Sequence, residues 1–468
     1  MNPSTGQQLH NFAARLYPIC RSITGSGVRE TLAMIAGRVP LKVHEVRSGS
    51  RVFDWTVPLE WNIEDAHVSD PDGRRVVDFQ AHNLHLVSYS EPRAETLSLQ
   101  QLSTNLHSLP EHPDRIPYRT SYYRRNWGFC LRDRDRTALR DGNYRVEIRS
   151  SLAPGALTYG EVVLPGRSKE EVVFFAHVCH PSLANDNTSA LSVSTALAQW
   201  LAGESRRYTY RFVFAPATIG ALCWLKQNEH RLARIRYGLV LALLGDSGPL
   251  TYKASRRGNS EIDTVARYVL ESAPGASAIA FSPYGYDERQ LCSPGFNLPV
   301  GRLTRSVNGG YSEYHTSADD LELVKPENLQ DSFETCQRIV SVLEGDGQYV
   351  NLSPKGEPQL GKRGLYSSMG GRTSLADHEN AMLWILSASD GGPSLLDIAK
   401  RSRIAFETVR AAAASLEQAG LLRPVSRPRG GVSREPASVG RKPKLTSPGR
   451  KLKLRKRAVA RRSHGRGS

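Results

Sequence analysis

The chain is 468 residues long, 39% hydrophobic and 23% charged, enough to build two or three domains around a large core. Its formal net charge is +16, but fifteen Lys and Arg against one Glu after Val425 place +14 in the last 43 residues. The folded body is therefore near neutral, which excludes a basic surface spread over the whole chain and makes the high pI a property of the tail.

No apolar run is long enough to span a bilayer, and the start MNPSTGQQLHNFAARLYPIC lacks a basic segment followed by an apolar one. Cys20, Cys130, Cys179, Cys223, Cys292 and Cys336 are scattered without paired spacing, which fits reduced thiols better than a disulfide framework. Together these features predict a cytoplasmic location and no membrane partner.

Leu9, Phe12, Ala13 and Leu16 have helical spacing, and a turn at 24–27 leads to a second helix over 28–36 and a strand over 41–46. From Phe53 to Leu139 the texture changes. Short strands over 75–79 and 84–89 alternate with turn residues and with Trp55, Trp61, Tyr118, Tyr122, Tyr123, Trp127 and Phe129. This reads as a β-rich insertion with its own small aromatic core. Strands over 144–150 and 160–164 are expected to resume the main domain.

The stretch EVVFFAHVCHPSLANDNTSALSVSTAL, residues 171–197, then supplies a strand buried on both faces, a polar loop and a helix. That order places the loop at the carboxyl edge of a parallel sheet, where open α/β folds bind ligands. His177, His180 and Asp186 offer imidazole and carboxylate, the donors zinc accepts, with a coordination position to spare for water. The competing reading is structural, with His180 capping the loop, His177 a hydrogen-bonded core histidine and Asp186 the N-cap of the helix. Cys179, between the two histidines, is expected to point away from them.

Further strands are predicted over 208–216, 238–244 and 298–303, with helices near Ala221–Leu225, over 263–270 and over 326–343. The alternation predicts an α/β class and one three-layer α/β/α domain. Gly, Lys, Arg and Ser enrichment over 354–373 marks a linker. Helices over 380–387, 394–400 and 406–419 and a strand from Leu421 have the layout of a winged helix-turn-helix. Its third helix, the recognition helix of that layout, lies in IAFETVRAAAASLEQAG, whose one Arg and two Glu are poor material for phosphate or base contacts. A protein-contact or inert role suits it better. The Pro-, Gly- and Arg-rich tail is expected to be disordered, either binding nucleic acid or acidic surfaces through counterion release or standing as a solvated extension without a dedicated partner.

The run HVCHPSLANDNTS, with GDSG at 245–248 and EYHTSADD at 313–320, resembles the bacterial aminopeptidase-like family related to co-catalytic zinc aminopeptidases. LYPICRSITGSGVRETL, VFDWTVPLEWNI, IPYRTSYYRRNWGFC and SPGFNLPVG are similar to further stretches of that family. The resemblance runs from about Leu16 to Val425 and leaves out only the tail. It implies an aminopeptidase-like domain in two parts (1–48 and 141–350), a β-rich insertion (49–140) covering the site, a linker (351–375), a winged helix (376–425) and the tail (426–468). It also implies a zinc site with His177 or His180 at the strand end, Asp186 as the carboxylate between metals, Asp246 after a later strand and His315 last.

Departures from the family pattern carry equal weight. The related zinc enzymes have adjacent glutamates, a general base and a metal ligand, where this chain reads Pro216-Ala217-Thr218-Ile219-Gly220. Ala217 accepts no proton and Thr218 is a poor zinc ligand, so the resemblance implies one zinc ion in preference to two, and weakened peptidase activity. Loss of a positioned base costs about 10²–10⁴-fold. Glu313, two residues before His315, would replace that base if the segment is extended, since alternate residues then share a side. Glu313 or Asp287 would also serve as the acidic partner of a substrate amine. Ala190 stands where the family has Gly, which is expected to shift the loop slightly. The implied function is metal-assisted hydrolysis of a peptide, an aminoacyl amide or a modified-sugar amide. The alternative is a catalytically inactive metal- or ligand-binding protein acting through its winged helix and tail.

Overall fold

In the computed structural model, which describes residues 4–307, 309–365 and 377–425, the strand Glu171–His177 is buried on both sides. Val172, Phe174 and Ala176 enter one apolar core, Val173 and Phe175 another, as the two-residue period of a strand dictates. Its sheet has eight strands: β1 (Leu41–Arg47), β2 (Ala156–Leu164), β3 (Glu171–His177), β4 (Thr209–Ala215), β5 (Ile235–Leu241), β6 (Thr251–Lys253), β7 (Ser277–Ile279) and β8 (Val300–Thr304). Their spatial order is β1-β2-β4-β3-β5-β8-β6-β7. Strands β4, β3, β5 and β8 are parallel, so their carboxyl ends share one edge. Toward the flanks β1 on β2, β2 on β4 and β6 on β8 are antiparallel, and the outermost β7 is parallel to β6.

Parallel neighbours need crossovers, and helices supply them. Helices α1 (Thr5–Leu16), α2 (Ser26–Ala36), α3 (Ala190–Ala202), α5 (Glu261–Leu270) and α6 (Pro326–Gly345) fill the first core, and α4 (Ile219–Asn228) lies in the second. The result is the expected three-layer α/β/α arrangement. Phe174, Phe175, Phe212 and Trp224 are almost wholly buried, each contributing roughly 1.5–3 kcal/mol of transfer free energy. Ser4 accepts the Gln7 N–H at the start of α1, and Ser260 with Asp263 forms a reciprocal cap at the start of α5.

A second, antiparallel sheet holds Arg75–Asp78, Glu60–Ser69, Asn143–Ala153 and Arg93–Ser98, in that order. Two expectations are corrected here. Residues 84–89 form no strand; a 3₁₀ turn, Asn83–His85, is followed by isolated bridges at Leu86 and Ser88. The strand over 144–150 does not resume the main sheet. It pairs with Glu60–Ser69 and Arg93–Ser98, and the chain crosses to the main sheet only at Ala156. Tyr144, Val146 and Ile148 are buried at alternate positions, a pattern either sheet would satisfy, because alternation names a buried face and not a partner strand.

The C-terminal part builds a three-stranded sheet from Asp390–Ser394, Gln348–Asn351 and Leu422–Pro424. Around it lie α7 (Asp377–Ala388), α8 (Leu395–Ser402) and α9 (Phe406–Gln418). Gln348–Asn351 thus pairs within the winged-helix sheet, ahead of the expected start of that domain at 376 and overlapping the expected linker at Asn351. Of that stretch, Leu360 is buried in the first core; residues 366–375 and the tail 426–468 lie outside the described residues. Ile398, Phe406, Val409 and Leu416 join the same core as the main sheet. The Phe406 N–H donates to the Tyr268 hydroxyl of α5 (3.0 Å) and the Leu396 N–H to Asp346 (3.0 Å). The winged helix is packed on the main domain. Among the described residues no helix is long and apolar enough to cross a membrane.

Candidate metal centre

Strand β3 ends on His177, opposite Ala215 at the end of β4. Beyond it the polar run 184–189 winds irregularly, with Asp186 at φ −107°, ψ 77° and Asn187 at φ −147°, ψ 23°, joined by a cis peptide. Backbone in those conformations lacks regular helical partners, and side chains supply them. The Asp319 carboxylate accepts the N–H of Asn185 (2.6 Å) and of Asp186 (3.1 Å). Asn185 Oδ1 accepts from Gly245, Asn187 Oδ1 from Leu243, and the Ser189 hydroxyl donates to the Asn185 carbonyl. Every polar residue of this run is buried and occupied. Ala190 then starts α3 at φ −73°, ψ −28°, a conformation open to any residue, so the missing glycine requires no shift of the loop.

The loop presents Asp186 to three imidazoles. His177 Nε2 lies 2.7 Å from Asp186 Oδ1, His180 Nδ1 3.7 Å from the same oxygen, and His315 Nε2 3.1 Å from Oδ2. One ligand atom from each of His177, His180 and Asp186 falls within 4.8 Å of the others. A zinc ion with bonds of about 2.0–2.1 Å holds its donors about 3.3 Å apart, and the observed separations straddle that value. His180 Nδ1 is buried with no hydrogen-bond partner. Burial pushes the His180 pKa down to about 3, against the attraction of Asp186. Burial alone would raise Asp186, but its electrostatic attraction to the neighbouring His180 and His177 rings and the bonds from His177 and His315 outweigh it and hold it well below the usual range. Imidazole nitrogens gathered on a carboxylate are the donor set zinc takes, so the residues fit the ion.

The other expected site residues are placed differently. Asp246 follows β5, but its oxygens are taken: Oδ1 accepts from Gly248 N (2.7 Å) and Ser306 Oγ (2.7 Å), Oδ2 from Asn185 Nδ2 (2.7 Å). A Cβ on Gly248 would stand 2.5 Å from Ser306 Oγ, so only glycine lets the backbone close on this carboxylate. Glu313 lies 3.8 Å from Arg115. Its segment is a turn with His315 at φ +56°, so the extended-chain argument for a shared side fails. Cys179 is buried, and its Sγ accepts the Ala217 N–H (3.3 Å).

Asp287 is buried beside the turn that follows β4. Thr218 there has φ +61°, ψ −75°, and Ile219 N–H returns to the Ala217 carbonyl (2.9 Å). Asp287 Oδ1 accepts the Thr218 N–H (2.8 Å), while Oδ2 is buried with no partner. Burial pushes the Asp287 carboxyl up to about 6, against the pull of the Thr218 N–H and the His177 imidazole.

Three contributors went unnoticed at the level of sequence. Asp319, whose carboxyl burial and the Asp186 charge push up to about 8, sits in the run HTSADD as the first acid after His315. Tyr286 stacks on His177 (centroids 5.0 Å apart), and Tyr118 stands edge-on to His180 (5.2 Å) and His315 (5.1 Å). Tyr118 comes from the loop between the strands Arg93–Ser98 and Asn143–Ala153, which also pairs with the His315 segment through Tyr118 N–H to His315 O (2.8 Å) and Ser317 N–H to Ile116 O (2.8 Å). Composition gave no sign of that reach; the aromatic cluster read as a local core.

Among known proteins, the profile of DUF4910, a domain of unknown function, matches residues 10–346, and a winged helix-turn-helix profile matches 347–424. A Clostridium acetobutylicum protein named "Putative polysaccharide biosynthesis protein with aminopeptidase-like domain" is 47% identical over 420 residues, 90% of this chain and 96% of its own length. The crystal structure of a "putative peptidase" from the same organism superposes with a TM-score of 0.86 at 45% identity, covering 90% of this chain and 97% of that one. BSAP, a zinc aminopeptidase from Bacillus subtilis, superposes with a TM-score of 0.54 at 13% identity over 72% of this chain and 94% of its own. That last likeness is one of fold.

Proposed function

The chain belongs to the DUF4910 family, and from that premise we propose that it is a zinc-dependent, aminopeptidase-like amide hydrolase. The supporting observation is the convergence of His177, His180 and His315 on the buried Asp186 carboxylate from two distant stretches of chain. Three of these four donors would hold one zinc ion, which would supply a Lewis acid with room for a substrate or water. Asp246 would join them only by giving up one of its present bonds. With Thr218 in place of a second carboxylate, one ion is favoured over two.

Bound zinc supplies a Lewis acid for the scissile carbonyl and lowers the pKa of water. The chain's own residues do the rest. Asp319 and the Asn185–Asp246 pair fix the loop that carries Asp186. Arg21, almost fully buried, holds the His180 carbonyl (2.9 Å). Tyr118 and Tyr286 wall the imidazoles. The substrate class is a small peptide or aminoacyl amide, and the polysaccharide role in the relative's name extends it to an amide on a modified sugar.

Ala217 favours a second reading, an inactive metal- or ligand-binding protein acting through its winged helix and tail. The exposed face of α9 offers Arg410 with Glu407, Glu417 and Gln418, weak material for nucleic acid. Metal analysis before and after chelation, with dye release from aminoacyl anilides, separates the two. Zinc with chelator-sensitive turnover is expected; zinc without turnover on any amide hands the protein to the second reading.

A further inference from the structure

We infer that Asp287 is the general base of this site, contributed by the segment before β8 in place of the carboxylate absent at Ala217. The inference rests on the hydrolase reading above and deepens it. The turn that would carry the base presents a methyl at Ala217, and its next N–H, from Thr218, is bonded to Asp287 Oδ1 at 2.8 Å. A carboxylate from 69 residues away is thus held against the backbone of the vacant position. Its second oxygen, Oδ2, is buried and unpartnered, and a carboxylate oxygen so placed needs a proton or a water. The adjoining Tyr286 ring lies flat on His177, which ties the segment to the metal cluster.

The segment is also pinned from behind. Glu288 is fully buried and paired with Lys253 (3.0 Å) and Arg302 (3.3 Å). Gly285 has φ +154°, and a Cβ there would run into all three of those side chains. A side chain buried to 1% exposure and locked between this ion cluster and the Thr218 turn has the fixed geometry a base requires. In the reaction, a water oxygen bonds to the scissile carbonyl carbon and its proton passes to Asp287 Oδ2. The carbon–nitrogen bond then breaks and the proton returns to the leaving amine, giving an acid and an amine with no other reactant.

The test is Asp287→Asn, which keeps an oxygen for the Thr218 N–H. Three quantities are read: zinc affinity by competition with a chromophoric chelator, hydrolysis of an aminoacyl anilide, and binding of an aminoacyl hydroxamate by calorimetry. The expected result is zinc affinity within about twofold, kcat down about 10²–10⁴-fold with little change in KM, and hydroxamate binding at least about tenfold weaker. Adding Ala217→Glu should then recover at least about tenfold of the lost kcat. Unchanged kcat overturns the assignment and leaves the hydrolase reading intact. A raised KM at constant kcat makes Asp287 the grip on the substrate amine, and a loss of zinc makes it a ligand; either overturns it. A natural protein that takes up no zinc and cleaves no amide overturns both readings.

Discussion

The turns after β3 and β4 leave neighbouring parallel strands from facing positions, His177 and Ala215, yet their chemistry is opposite. The first carries two histidines, an aspartate and a polar run in which every group is engaged. The second offers a methyl, a backbone held at positive φ in a β-branched residue and an N–H directed to a carboxylate from elsewhere. The sheet edge fixes where a site can form, while each turn fills its own part of it. One turn can lose its carboxylates without disturbing the other, and a strained residue at the depleted turn is where functional constraint is expected to leave a trace.

The contrast breaks most completely at Asp186. Asp186→Ala removes the group that three imidazoles share and should lower zinc affinity by more than about 100-fold, beyond the 10–100-fold typical of outer-shell losses; chelator competition reads it. If affinity survives, the first turn is not a metal site.

Asp287→Asn tests the second turn through stability. The folded-state pKa of Asp287 stands near 6, above its unfolded value, so the native state binds the extra proton and its stability falls as pH rises from about 4 to 6. The zinc-free variant should therefore be more stable than the natural protein at pH 7, by at most about 3 kcal/mol, and equal to it below about pH 4. Urea midpoints at the two pH values check both arms.

Asp319→Ala sharpens the first turn by leaving the N–H groups of Asn185 and Asp186 without their acceptor. A loss of about 1–3 kcal/mol and of about 10–100-fold in zinc affinity is expected, read by thermal melting and chelator competition. Glu313→Gln is the smallest change. The carboxylate faces Arg115 at 3.8 Å and is partly exposed, so stability should move by less than about 0.5 kcal/mol and kcat by less than about twofold; a larger fall in kcat would return Glu313 to the role of base.

The first turn was legible in the sequence because its donors lie within ten residues of one another behind a strand of unmistakable burial. His315 was legible through its motif. What the sequence hid are relations decided by distant segments. Asp246 has the right place after β5, but its oxygens are consumed by Asn185, Gly248 and Ser306, and nothing local records that. Asp287 was visible as an acid near the site, not as the neighbour of Thr218. Glu313 was misplaced because a period-two argument was applied to a turn. The strand Asn143–Ala153 was assigned to the wrong sheet because alternate burial looks the same in both.

The hydrogen bond from Tyr118 to the carbonyl of His315 has a practical consequence for anyone wishing to transplant this centre. Moving residues 177–189 onto another scaffold would carry two imidazoles and the aspartate but orphan the third imidazole, which is propped by an excursion of chain nearly two hundred residues earlier. Trimming that excursion to make a smaller protein would loosen His315 first, and the cluster on Asp186 would lose its most exposed imidazole before the sheet noticed.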